Sequence, residues 1–249
     1  GRSLAVGRVM TPTLAMAVQR EAAIAAFTPE KFYTVSLAFE GDGTASSKRF
    51  SQKEDAETLL ANCRKEVSTV VQKVECKEKN EKPPQLYDLT TLQRDANRLL
   101  GFTAQQTLDY AQSLYEKRLI TYPRTDSRFL TEDMAASLPG LVTDTSKAFA
   151  VEEPLLIYVQ QVINGSKVTD HHALIITECL PGELSADERT VYDMVAARLL
   201  EAFSARCLKD ATTVSFTAGN SVFTAKGTVV RSAGWHAVRN EREEDDEGT

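Results

Sequence analysis

The chain has 249 residues, of which 42% are hydrophobic and 26% charged, a balance that suits a folded protein of one large or two smaller domains. No apolar run approaches the roughly 20 residues of a membrane-spanning helix, and no basic, apolar, small-residue leader opens the chain, so nothing marks it for a membrane or for secretion. The net charge of −6 does not by itself point to nucleic acid.

The chain opens with GRSLAVGRVMTP, without an initiator Met and already in mid-pattern, so a piece of a longer protein is expected. Thr11 followed by Pro12 reads as an N-cap and first-turn proline. The run to Phe27 then predicts a helix with Leu14, Val18, Ala22 and Ala25 or Ala26 on one side. FYTVSLAFE, a GDG turn and VSTVVQKVECKE carry strand chemistry, with a short amphipathic helix over SQKEDAETLLANCRK between them. Two prolines in KNEKPPQ mark a boundary. Beyond it the reading is helical, with capping boxes at Thr103–Gln106 and Ser185–Glu188 and Thr131 as the N-cap of TEDMAASL. Alternation returns after Cys207, with Gly219-Asn220 as the turn of a hairpin. The tail EREEDDEGT is a like-charge run expected to be solvated and disordered.

A helical block over about 83–207 therefore interrupts two β-rich stretches whose strands are expected to share one sheet. The four cysteines, Cys63, Cys76, Cys179 and Cys207, lack the close spacing of a zinc site. Reduced structural thiols and a cytoplasmic location are expected.

The densest polar chemistry lies in LITYPRTDSRFL, residues 119–130. A phenol titrates near pH ~10 and attacks poorly at neutral pH unless its phenolate is stabilised. Arg124, two residues after Tyr122, is a candidate for that role and for binding a phosphate oxygen. A tyrosine among arginines suits attack on a phosphodiester; it also occurs as an ordinary surface pair, with Asp126 and Ser127 capping a turn. In DHHALIIT, His171 or His172 could donate to a phosphate oxygen. In an extended segment the two rings face opposite sides, so at most one is expected beside Tyr122. Arg8 precedes a helix start, where phosphate is favoured, and Arg20 lies on that helix.

Taken together, GRVMTPTLAMAVQRE, the run from LTTLQRDANRLL through LITYPRTDSRFL, DHHALIIT and GWHAV resemble the type IA DNA topoisomerases, closest to their bacterial topoisomerase III branch, over nearly the whole chain. The resemblance implies that Tyr122 attacks one DNA strand and becomes joined to its 5′ phosphate. It implies further that Arg124 stabilises the attacked phosphate and that His171 lies near the scissile phosphate. Arg8, Arg20, Gln93 and Arg128 are expected to contact DNA. The implied fold is α+β: a helical tyrosine domain (83–207) inserted in a β-rich arch (31–82 and 208–236), with a helical base segment (1–30) and an acidic tail (237–249). The expected partner is single-stranded DNA. No GxxxxGK[ST] loop occurs, in keeping with a near-balanced phosphodiester exchange that needs no ATP.

The family's Toprim domain, whose acids bind Mg²⁺, would precede Gly1. Magnesium is thus expected in the full-length enzyme and not in this chain, which alone is expected to be a poor catalyst. The histidine motif reads LIIT where many relatives have a proline before the threonine. Two rivals remain. A tyrosine recombinase would place its nucleophile after its basic residues, near the C-terminus, whereas Tyr122 precedes His171. A non-catalytic gate that only holds single strands would bind DNA without a covalent adduct.

Overall fold

The computed structural model describes residues 7–39, 43–66, 68–149, 151 and 157–239. Two compact units divide the chain: residues 1–74 with 213–226, and residues 75–212 with 227–249. A five-stranded sheet and a helical body give the α+β class that the patterning predicts. No helix among the described residues is long and apolar enough to cross a membrane.

The first unit begins with helix α1, Met10–Ala25, whose N-cap position is Val9 without a side-chain cap. It starts earlier than the Thr11-Pro12 signal predicts. Thr11 Oγ1 instead accepts from Gly7 N at 3.1 Å, and Pro12, with no N–H to give, sits within the first turn. The side chains of α1 are exposed, including Leu14, Met16, Val18 and Ile24. Strands β1 (Ser36–Phe39) and β2 (Gly43–Ser46) pair antiparallel, and helix α2 (Lys53–Cys63) follows.

Three long strands, β3 (Val70–Glu81), β4 (Cys207–Ala218) and β5 (Ser221–Ser232), complete the sheet in the order β1-β2-β5-β4-β3. The β4–β5 turn has φ of 57° at Gly219 and 60° at Asn220, the paired positive values of a two-residue hairpin turn. A Cβ on Gly219 would lie 2.9 Å from Cys63 Sγ, so the same glycine lets the turn press on the end of α2. Val35, Ala45, Ala56, Leu59, Ala218 and Phe223 form this unit's small core.

The second unit holds the main core. Helix α3 (Leu89–Leu100) is closed by Gly101 at φ 73°, the left-handed C-cap that glycine adopts at least cost. Helix α4 (Ala104–Glu116) follows, then α5 (Leu138–Ala148) and α6 (Ala186–Phe203). The capping boxes at Thr103–Gln106 and Ser185–Glu188 are present, and Asp88 with Thr91 makes another on α3. The residues after Thr131 form a short 3₁₀ turn, Glu132–Ala136, with no side-chain cap. Helix α6 is buried on most of its circumference, from Val191 to Phe203, and is the axis of the unit.

At the C-terminal end of α6, Arg198 lies over the Tyr87 ring at 4.0 Å and pairs with Asp95 and Glu201, each at 2.9 Å. Tyr87 donates to Asp95 at 2.9 Å, and burial pushes its phenol up to about 12. Glu201 also pairs with Arg239, in the short helix Gly234–Arg239. Residues 237–239 of the predicted acidic tail are therefore anchored to α6. The rest of that tail, 240–249, lies outside the described residues.

Glu188 joins α4 to α6. Its carboxylate accepts from Lys117 Nζ and Ser113 Oγ, each at 2.6 Å, and from Ser185 N at 2.9 Å. Lys117 foremost, then Ser113 and the Ser185 backbone, hold it down to about 2 from an ordinary 4.5. A carboxyl depressed on folding contributes stability above its unfolded value and loses it as pH falls through the folded one. Acid titration followed by circular dichroism is expected to show stability lost between about pH 4.5 and 2, and Glu188→Gln is expected to be weaker at neutral pH with a flatter loss across that window.

Candidate active site

Tyr122 belongs to an irregular segment that leaves the end of α4. Arg118 closes the helix with φ 60°, a left-handed backbone uncommon outside glycine. Leu119 and Ile120 then turn into the core. From here the chain runs beside the segment after His172. Ile120 bridges Ile176 antiparallel, Tyr87 bridges Leu174, and Thr121 N donates to Ile175 O at 2.9 Å.

Hydroxyls complete the join. Thr121 Oγ1 donates to Ala173 O at 3.2 Å and accepts from Ile175 N at 3.0 Å. Thr125 Oγ1 donates to His171 O at 3.0 Å and accepts from Ser127 N at 3.1 Å. Ser127 Oγ donates to Lys167 O at 3.0 Å. Thr125 and Ser127 are buried, where backbone groups outside regular structure need such partners. The threonines and serine around Tyr122 thus hold its segment to the histidine segment. They were visible in the sequence as hydroxyls at 121, 125 and 127, but not as a join.

Burial alternates over 123–127, with Pro123, Thr125 and Ser127 inside and Arg124 and Asp126 outside. The segment is nevertheless not extended: it bends at Pro123, and Thr125 N donates to Pro123 O at 3.0 Å, a tight turn with Arg124 at its outward tip. Among the described residues, no hydrogen bond or cation–π contact joins the Arg124 guanidinium to the Tyr122 ring. Arg124 thus stands exposed two residues beyond the half-buried Tyr122.

The phenol ring is held by other rings. Its centroid lies 4.5 Å from that of His171 and 5.3 Å from that of Tyr115, the latter edge-on at 75°. Two cavities adjoin it. One of about 520 Å³ is bordered by Tyr115, Arg118, Tyr122 and His172; the other, of about 270 Å³, by Tyr122, Thr169, Asp170, His171 and His172. Both histidines therefore reach the site, where the sequence predicted one. The alternation behind that expectation fails because 169–171 is a bend and bridging begins only at Leu174. His172 Nδ1 lies 2.8 Å from Ala173 O, which fixes its ring. Tyr115 and Arg118 were not singled out from sequence; the position of Tyr115 in the last turn of α4, just ahead of the tyrosine segment, was the available signal.

The other predicted contacts are placed differently. Arg128 Nε donates to Asp88 at 3.0 Å and its Nη1 to Gln85 at 3.4 Å, which ties the tyrosine segment to the start of α3. Gln93 Nε2 donates to Ala104 O at 2.9 Å, joining α3 to α4. Arg8 and Arg20 are exposed at α1, in the other unit. Among the described residues, no three metal-ligating side chains converge near Tyr122; the group that does converge, Glu81, Cys207 and His236, lacks the oxygen-rich set that magnesium requires.

A family model described as DNA topoisomerase matches residues 1–249. DNA topoisomerase 3 of Bacillus subtilis (strain 168) is 40% identical over 98% of this chain and 36% of its own length. The enzyme of the same name from Bacillus licheniformis is 38% identical with the same coverage. Full-length topoisomerase I from Thermotoga maritima superposes with a TM-score of 0.70 at 26% identity, over 96% of this chain and 41% of that one. The chain thus spans about a third of the length of the curated relatives it matches.

Removing the Thr125 hydroxyl leaves the buried Ser127 N–H without its partner and frees the His171 carbonyl. Thr125→Val is expected to cost about 1–3 kcal/mol in urea denaturation, and to speed hydrogen exchange over 171–175 more than elsewhere.

Proposed function

The chain belongs to the DNA topoisomerase family, in its type IA class, and on that premise we propose that the whole protein breaks one DNA strand with Tyr122 and reseals it. The Tyr122 oxygen attacks phosphorus and forms a 5′-phosphotyrosine. The bond from phosphorus to the 3′ oxygen breaks, and that oxygen leaves as a 3′-hydroxyl after taking up a proton. Another strand passes through the opened protein before the 3′-hydroxyl attacks back and releases the tyrosine. One phosphodiester is exchanged for another, so the cycle needs no ATP.

The observation that carries this reading is the setting of Tyr122. Its ring is gripped by Tyr115 and His171 at the edge of two cavities, with the exposed Arg124 two residues on. Arg124 binds a non-bridging phosphate oxygen as charge develops on it. His171 donates to the same phosphate or to the adjoining nucleotide. The cavities beside the ring receive the flanking nucleotides, and single-stranded DNA is the substrate because each must leave its stack to enter. Arg8 and Arg20 are proposed to contact the DNA as well. Arg128 and Gln93 would have to share bonds that now hold the fold, so their part in binding is secondary. Magnesium is proposed for the whole protein, held by residues outside this chain, and no step above is assigned to it. A cytoplasmic location is part of the same reading.

The test is covalent trapping by the whole protein with 3′-end-labelled single-stranded DNA, denatured rapidly. Labelled protein is expected, lost in Tyr122→Phe while DNA binding persists, and reduced about 100-fold or more in Arg124→Ala. A folded, DNA-binding protein that yields no adduct would leave the chain as a strand-holding gate.

A further inference from the structure

Away from Tyr122, three side chains of different chemistry meet in the second unit. Glu81 is the last residue of β3, Cys207 is the first of β4, and His236 lies in the short helix just after β5. Their donor atoms all fall within 4.8 Å of one another. We propose that Glu81, Cys207 and His236 form a site for a divalent transition metal, zinc foremost, that fastens the ends of three sheet strands together.

The donor set fits that class. Thiolate, imidazole and carboxylate are zinc's usual ligands, and three of them with a water make its open tetrahedral site. Bonds of about 2.0–2.3 Å place tetrahedral ligands about 3.4–3.7 Å apart. His236 Nε2 already lies 3.4 Å from Glu81 Oε2, so closure requires a shift of about 1 Å at the most distant pair. Cys207 is fully buried, whereas the Glu81 side chain is 39% exposed, which leaves a path for the ion and a place for water.

The surroundings hold these groups in place. Gly234 has φ 54°, and a Cβ there would lie 2.4 Å from Arg206 O. Only glycine lets the chain after β5 pass that close to the residue preceding Cys207. Trp235 N donates to Ala205 O at 3.0 Å, and the Trp235 ring stacks on His236 at 3.7 Å and 26°. Lys209 Nζ bonds Glu81 Oε2 at 3.0 Å. Its ammonium shares Oε2 with His236 and opposes a cation, so metal binding requires Lys209 to swing aside or the carboxylate to turn its other oxygen inward. The site is independent of the tyrosine chemistry.

Cobalt(II), the spectroscopic stand-in for zinc, tests the proposal on the purified chain stripped of metal with a chelator. Trp235 is the sole tryptophan and touches the ligand imidazole, so its emission reports this site. The expected result is a thiolate-to-cobalt charge-transfer band that rises together with quenching of Trp235, both reversed by zinc. Cys207→Ser and His236→Gln, each confirmed to unfold cooperatively, are expected to weaken the response about 100-fold. Absence of the band in the parent chain would overturn the proposal. So would a band that persists in Cys207→Ser, since it would belong to Cys63, Cys76 or Cys179.

Discussion

Two stretches without regular structure cross the helical unit side by side, and each buried backbone group in them must be given a partner that neither helix nor sheet supplies. Short bridges at Tyr87–Leu174 and Ile120–Ile176 and the hydroxyls of Thr121, Thr125 and Ser127 meet that demand. The position of Tyr122 follows from it. The phenol is a half-buried step along a segment with neighbouring residues locked inward, and His171 is brought to it because its carbonyl is the acceptor of Thr125. Regular structure would have placed side chains at fixed intervals. The irregular join instead sets a tyrosine, two histidines and an arginine around open space.

Local signals in the sequence predicted what is locally decided. Thr103 and Ser185 stand where α4 and α6 begin, and Gly219-Asn220 makes its hairpin turn, because caps and turns depend on residues within a few positions. The start of α1 was misplaced because proline tolerates several first-turn positions. The site was legible as a set of residues but not as an arrangement. Nothing local tells that Thr125 reaches His171, or that His172 also faces the cavities, since both follow from pairing between segments far apart in the chain. Tyr115 read as one more helix residue until the ring of Tyr122 was seen against its edge.

Arginine gave the least from sequence and separates most clearly in three dimensions. Arg198 and Arg239 are bound to carboxylates at the end of α6, Arg189 to Asp193, and Arg128 to the cap of α3. A guanidinium so engaged contributes to the fold and offers little to a phosphate. Arg124, flanked by residues that face inward, stays outside. In a chain with net charge −6, the nucleic-acid binding proposed above would rest on where a few uncommitted cations stand rather than on their number.

Arg118 carries a different lesson. Its left-handed backbone at the end of α4 is a conformation that costs a residue with a Cβ about 1 kcal/mol and costs glycine almost nothing. The residue borders the larger cavity beside Tyr122. A lineage selected for robustness alone would settle on glycine at this position. The arginine keeps one more positive group on the rim of that cavity in spite of the strain, so the fold here gives up a little stability for local charge.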